Sequence, residues 1–143
     1  MNKRGFSSIG LFNPKTPENF GAVLRAAFCY SSSLICYTGK RLGRSPLDTP
    51  KAFKSLPVLH VEDLRRAVPY GAIPIAVDLI DGATPLPKFY HPEQAFYIFG
   101  PEDGTLGKQI TGWCKHTIYI PTTVCMNLAA TVNVVLYDRL SKQ

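Results

Sequence analysis

Nowhere in these 143 residues do apolar side chains run together for the ~20 positions that a helix needs to cross a bilayer, so no membrane-spanning helix is expected. The opening stretch MNKRGFSSIGLFNPK is no better suited to export. Its first basic residues, Lys3 and Arg4, are followed by an apolar run that serine and glycine break up, too short for the core of a secretion signal. A soluble, cytoplasmic protein is the expectation. Cysteine and histidine are sparse: Cys29, Cys36, Cys114 and Cys125 form no C-x-x-C pair, and His60, His91 and His116 stand at no metal-ligand spacing. Neither a disulfide framework nor a bound metal is therefore expected. Two nucleotide fingerprints are missing as well. There is no G-x-G-x-x-G and no glycine-rich loop closing on lysine and serine or threonine, which leaves dinucleotide and nucleoside-triphosphate chemistry without its usual loops.

Acidic residues are also scarce, 10 against 16 lysines and arginines, for a net charge of +6. Such an excess attracts polyanions, because each cation that meets a phosphate releases a counterion. Part of it is local: Lys40, Arg41, Arg44, Lys51 and Lys54 share one proline- and glycine-punctuated stretch with only Asp48 against them. That stretch reads either as a solvated loop or as a contact for nucleic acid.

What is present is enough for one packed domain over 1–143. Hydrophobic residues make up 45% of the chain and charged ones 18%, and domains of this length ordinarily bury about two thirds of their unfolded surface. Short β-type runs at 8–12, 34–37, 58–61, 73–79, 95–99 and 117–120 alternate with helix-type segments, the pattern of an α/β domain whose mostly parallel sheet is flanked by helices. The first helix has a clear beginning, with Thr16 to cap it and Pro17 at its first position. Phe20, Val23, Leu24, Ala27 and Phe28 then form a stripe at helical spacing, with Arg25 off it. A shorter helix is predicted over 62–68, stopped by Pro69. The last is predicted over about 126–141, burying Leu128, Val132, Val135, Leu136 and Leu140.

Three segments carry polar residues or glycines where strands give way to helices. In Pro17-Glu18-Asn19-Phe20-Gly21-Ala22-Val23-Leu24-Arg25, Asn19 and Arg25 open a helix just past a strand, at the sheet edge where open α/β folds bind ligands. An Asn in a first helical turn is also an ordinary structural residue. The second, from Phe96 through Gly100, Glu102 and Gly104 to Gly107, is a buried-strand pattern feeding a loop with three glycines, which can bring backbone close to a ligand or make a tight turn. The third runs from Ile118 through Ile120 and Cys125 to Ala130, where Asn127 meets the free N–H groups of the last helix as a ligand contact or as a cap.

In this order the three segments resemble the SpoU/TrmH-type RNA methyltransferases of the SPOUT superfamily, which carry N-x-G-x-x-x-R, F-G-x-E-x-x-G-L and I-P-(loop)-S-L/M-N-L/V-S. The likeness covers nearly the whole chain and is greatest to minimal members made of the catalytic domain alone. It implies a deep C-terminal trefoil knot, with S-adenosylmethionine bound bent in the knotted crevice and S-adenosylhomocysteine as the product. The cofactor would be held largely by backbone around Val77, Gly100 and the segment holding Ile120, Cys125, Met126 and Leu128. Members are usually homodimers whose site the partner completes, here through the first and last helices. The resemblance implies RNA as substrate, with tRNA favoured by the likeness to minimal wobble-position enzymes, and transfer to a ribose 2'-hydroxyl without a metal.

In the family the arginine of the first motif, here Arg25, is the proposed base or alkoxide stabiliser, while Asn19, Glu102 and Asn127 organise the site. A guanidinium is a reluctant proton acceptor, which favours Arg25 as the group that fixes an RNA phosphate or stabilises the developing oxyanion. The chain departs from the pattern at Cys125 and Ala129, where relatives have serine, and in a short loop between Pro121 and Cys125. A thiol is the weaker hydrogen-bond donor. Two other readings stay open: a catalytically silent RNA-binding knotted domain, and a methyltransferase acting on a base nitrogen.

Overall fold

Side chains alternate between two faces along Gln94–Phe99, the strand at the centre of the fold. Ala95, Tyr97 and Phe99 enter one core cluster and Phe96 and Ile98 the other, the period of two that a pleated strand imposes. Both faces are therefore covered, and Ala95 to Phe99 are all buried, as in parallel sheets sandwiched by helices. The computed structural model describes residues 4–43 and 55–143. Arg44, Asp48, Lys51 and Lys54 of the basic stretch lie outside the described residues.

The chain runs β1 (Phe6–Leu11), α1 (Pro17–Cys29), β2 (Ile35–Tyr37), β3 (Val58–His60), α2 (Leu64–Ala67), β4 (Ile73–Val77), β5 (Thr84–Pro85), β6 (Gln94–Phe99), α3 (Lys108–Thr111), β7 (His116–Tyr119) and α4 (Leu128–Ser141), with a 3-10 turn at Leu86–Lys88. The seven strands form one sheet in the order β3-β2-β1-β6-β4-β7-β5, and every pairing is parallel. Leu11 is in register with Phe99, and Phe99 with Val77. Three strands thus end level at the same edge.

Helices α1 and α4 pack together over the face that holds Ile9, Leu24, Tyr97, Val132 and Leu136. On the opposite face Leu64 of α2 and Ile110 of α3 meet Phe96 and Ile98. That face explains a glycine: a Cβ on Gly10 would lie 2.7 Å from Cζ of Phe96, so the ring lies across a strand position that has no room for a side chain.

The helix starts follow their caps. Thr16 accepts from the Asn19 N–H with Pro17 next to it, and Asn127 accepts from the Ala130 N–H. Several expectations need correction. The last helix begins at Leu128, since Met126 precedes the cap, and the short one is trimmed to Leu64–Ala67 because Asp63 caps it. Strand β4 stops at Val77, leaving Leu79 and Ile80 exposed. Phe28 is 47% exposed while Ala26 is buried, so the buried stripe of α1 turns toward the small residue where α4 approaches. On α4 the buried position near the end belongs to Arg139, and Leu140 is half-buried. Strand β5, two residues long and half proline, carried no alternation to read.

Candidate active site

At the level edge of the sheet, the segments that follow β4 and β6 and the one that leads into α4 enclose a cleft of about 210 Å³. Strand β4 contributes Val77 and the next residue, Asp78. The β6 segment contributes Phe99, Gly100, Pro101, Glu102, Gly104 and Thr105, and the approach to α4 brings Cys125, Met126, Asn127, Leu128 and Thr131. Of the residues singled out in the sequence, Val77, Gly100, Glu102, Cys125, Met126, Asn127 and Leu128 meet here. Asn19, Arg25 and Ile120 do not line it. Ile120 is half-buried against the main core, Asn19 is half-buried in the first turn of α1, and Arg25 is exposed two turns on.

Glu102 ties the first motif to the second. Its carboxylate accepts from the Thr16 N–H at 2.8 Å and from the Lys15 N–H at 3.1 and 3.2 Å, so it holds the turn that starts α1 against the β6 loop. A second latch lies beside it. Arg41 donates to both oxygens of Asp103 at 2.8 and 3.0 Å and to the Asn13 carbonyl at 2.7 Å. The Arg41 hydrogen bond holds the Asp103 carboxyl below the usual carboxylate range, and the guanidinium is raised in return. Arg41, which the sequence placed in a stretch that could be a solvated loop or a nucleic-acid contact, already has a carboxylate partner.

The two asparagines divide by role. Asn127 spends its carbonyl oxygen on the Ala130 N–H at 2.8 Å, capping α4 where it lines the cleft. The Asn19 backbone N–H bonds the Thr16 hydroxyl at 3.3 Å, an ordinary capping contact. Cys125 is exposed. The sequence reading missed Asp78, Thr105 and Thr131 as lining residues. Asp78 could have been found, because it is the first residue past a strand at the carboxyl edge, where α/β sheets bind ligands.

A larger cavity, about 540 Å³, lies at the other end of α4 and is lined by Phe89, Tyr90, His91, Arg139 and Lys142 among others. Its polar groups are occupied with one another. His91 bridges the Tyr97 hydroxyl at 2.6 Å and Asp138 at 2.7 Å. Lys142 pairs with Asp138 at 2.8 Å and donates to the Leu86 and Phe89 carbonyls. Burial pushes His91 below its ordinary value, against the opposing pull of Asp138, and pushes the Tyr97 hydroxyl up to about 12. This cluster anchors the end of α4 and receives, of the three motifs, only the strand residue Tyr97, so the smaller cleft is the candidate site. Among the described residues no group of three His, Cys, Asp or Glu side chains could hold a metal ion, and no helix is long and apolar enough to cross a membrane.

The model of the SpoU rRNA Methylase family matches residues 7–137. The chain belongs to that family. Solved SpoU relatives share its fold at low identity. The A. aeolicus TrmH/SpoU tRNA modifying enzyme is similar with a TM-score of 0.83 and 17% identity, covering 98% of this chain and 77% of that one. The SpoU methyltransferase AviRb from Streptomyces viridochromogenes, solved in complex with AdoMet, has a TM-score of 0.79 and 19% identity over 99% of this chain. A structure described as giving insight into the 2-OH methylation of C/U34 on tRNA matches with a TM-score of 0.76 and 24% identity over 96% of each chain. This SpoU chain spans 59% of AviRb and 58% of an rRNA methyltransferase from Sinorhizobium meliloti. No curated protein matches it.

Proposed function

We propose that this SpoU-family chain transfers a methyl group from S-adenosylmethionine to a ribose 2'-hydroxyl of RNA, with tRNA as the substrate. One observation carries the reading: the last two motifs converge on one cleft at the carboxyl edge of the sheet, and Glu102 holds the turn immediately ahead of the first motif against them. The lining suits the cofactor. Val77, Phe99, Met126 and Leu128 offer apolar surface for an adenine ring, Gly100 and Gly104 let backbone approach closely, and among the described residues no Lys, Arg or His lines the cleft to bind phosphates. The family description names rRNA, and the tRNA assignment rests on the relative described for tRNA 2-OH methylation.

When bound, the cofactor would supply an electrophilic methyl group to a ribose hydroxyl, whose proton would pass to solvent. The protein's share is positioning and electrostatics. The amide nitrogen of Asn127 orients a bound group, and Glu102 keeps the turn ahead of α1 in place. Arg25 fixes the RNA phosphate or stabilises charge growing on the ribose oxygen. Because Arg25 is exposed on α1 and lines no cleft of its own chain, the proposal includes a homodimer in which α1 and α4 bring Arg25 to the partner's cleft. Exposed Val134 and Tyr137 on α4 supply apolar contact for it. The proposal also includes threading of the C-terminal segment into a trefoil knot, and action in the cytoplasm.

Calorimetry with S-adenosylmethionine and S-adenosylhomocysteine tests the cofactor half. Binding of neither at millimolar concentration leaves a silent RNA-binding domain and sinks the enzyme reading. Methylation of total RNA from a strain lacking the gene, followed by nuclease digestion and mass spectrometry, tests the rest. A methyl on the sugar of a tRNA nucleotide is expected, and a methyl on a base nitrogen would overturn the ribose assignment.

A further inference from the structure

The cleft runs against the charge of the chain that makes it. The protein carries +6 overall, yet among the described residues the only carboxylate, guanidinium, ammonium or imidazole groups lining the cleft are Asp78 and Glu102, both acids. Glu102 is committed to the Lys15 and Thr16 N–H groups. Asp78 is not: one oxygen accepts a single long bond, 3.4 Å, from the Leu106 N–H, and no ion pair engages it among the described residues. A half-buried carboxylate with so little compensation lacks a cation.

We propose that Asp78 supplies the charge contact for the sulfonium of the cofactor and makes the cleft selective for S-adenosylmethionine over S-adenosylhomocysteine. The inference rests on the cofactor reading above and adds a residue and a consequence to it. S-Adenosylhomocysteine differs at the reacting centre by one methyl and one positive charge. The apolar and backbone groups of the cleft grip both molecules alike, so a fixed negative charge is the feature able to tell them apart. The sulfur loses its charge as the methyl leaves, so the pairing weakens through the reaction. It favours loading of the charged cofactor and departure of the neutral product, and lends no help to the transfer step itself.

Asp78→Asn separates charge from anchoring, because the amide oxygen can still accept from the Leu106 N–H. The test is titration calorimetry of the full chain with three ligands: S-adenosylmethionine, S-adenosylhomocysteine, and sinefungin, which carries an amine where the methylated sulfur stands. Loss of a charge-assisted contact corresponds to roughly a tenfold change in Kd. The variant is expected to weaken about that much toward S-adenosylmethionine and sinefungin and to keep its affinity for S-adenosylhomocysteine, while Asp78→Glu restores part of the preference. Equal weakening toward all three, or no change, overturns the inference. Asp78→Ser carries the same expectation if the Asn variant fails to fold. Failure of wild-type protein to bind any of the three would instead refute the cofactor reading. Wild-type binding with a ratio that ignores residue 78 would refute the role of Asp78 alone.

Discussion

Replacing Arg139 with methionine tests whether the far end of α4 is what pins this helix to the sheet. The arginine is 6% exposed, and its guanidinium donates to the Glu93 carbonyl at 2.6 Å, the Pro92 carbonyl at 2.7 Å, the Tyr97 hydroxyl at 3.2 Å and the Phe6 carbonyl at 3.4 Å. Methionine fills much of the same volume but donates nothing. Bonds from a charged donor contribute about 1.5–3 kcal/mol each, and the two short ones set the scale. The carbonyls they serve are only partly buried, so the lower half of that range applies and the expected loss is roughly 3–4 kcal/mol. Tyr97 loses little, since His91 still meets its hydroxyl. Against a total stability of about 5–15 kcal/mol this is a large share. Urea unfolding followed by circular dichroism reads it directly: with a slope near 2 kcal/mol/M the midpoint should fall by roughly 1.5–2 M. Arg139→Lys keeps the charge without the planar fork and should fall between the two. A loss below about 1 kcal/mol for the methionine variant would refute the anchoring argument, since one unpaired carbonyl alone costs that much.

Three further outcomes follow from the same geometry. Arg25→Ala should abolish methyl transfer and leave cofactor affinity unchanged in calorimetry, because Arg25 lies off the cleft of its own chain; parallel loss of both would show its position to be misread. Glu102→Ala, which releases the Lys15 and Thr16 N–H groups, should weaken the cofactor by about tenfold, and an unchanged Kd would mean that the clamp does not shape the cleft. Stability should fall on mild acidification. His91 is held below its ordinary 6.5 by burial, so the unfolded chain takes up its proton first, and the stabilisation present above pH 6.5 drains away as pH drops through and below that value. Urea midpoints between pH 5 and 8 measure the slope, and a slope unaltered in His91→Gln would assign the effect to other groups.

The parallel sheet was legible because buried strands such as Ala95 to Phe99 are continuous apolar runs with nothing to confuse them, and α1 because Thr16 and Pro17 mark its start by local chemistry. Within the candidate cleft, Gly100, Glu102, Cys125, Met126, Asn127 and Leu128 of the second and third motifs line one space, while Ile120 of the third does not. What could not be read depended on tertiary neighbours. Nothing in the pattern of α4 distinguishes Leu140 from Arg139 as the residue turned inward. That choice is made by carbonyls of Pro92 and Glu93, 47 and 46 positions away. The carboxylate partner of Arg41 could not be read either, because Asp103 stands 62 positions away. Asp78 carried no motif; its place just past β4 was legible in principle, but its single long contact to Leu106 is visible only in the folded cleft.

The anchor at Arg139 also says something about how freely the other end of α4 can change. The helix is 14 residues long, about 21 Å at 1.5 Å per residue; its middle is packed into the core through Val132, Val135 and Leu136, and its far end is held where Arg139 and Lys142 grip backbone carbonyls. The segment between Pro121 and Asn127 therefore does not have to locate the helix. It can be shortened, and can hold Cys125 where relatives hold serine, without the rod sliding. Binding chemistry at one end is free to drift because the task of registration has been given to the rest of the helix.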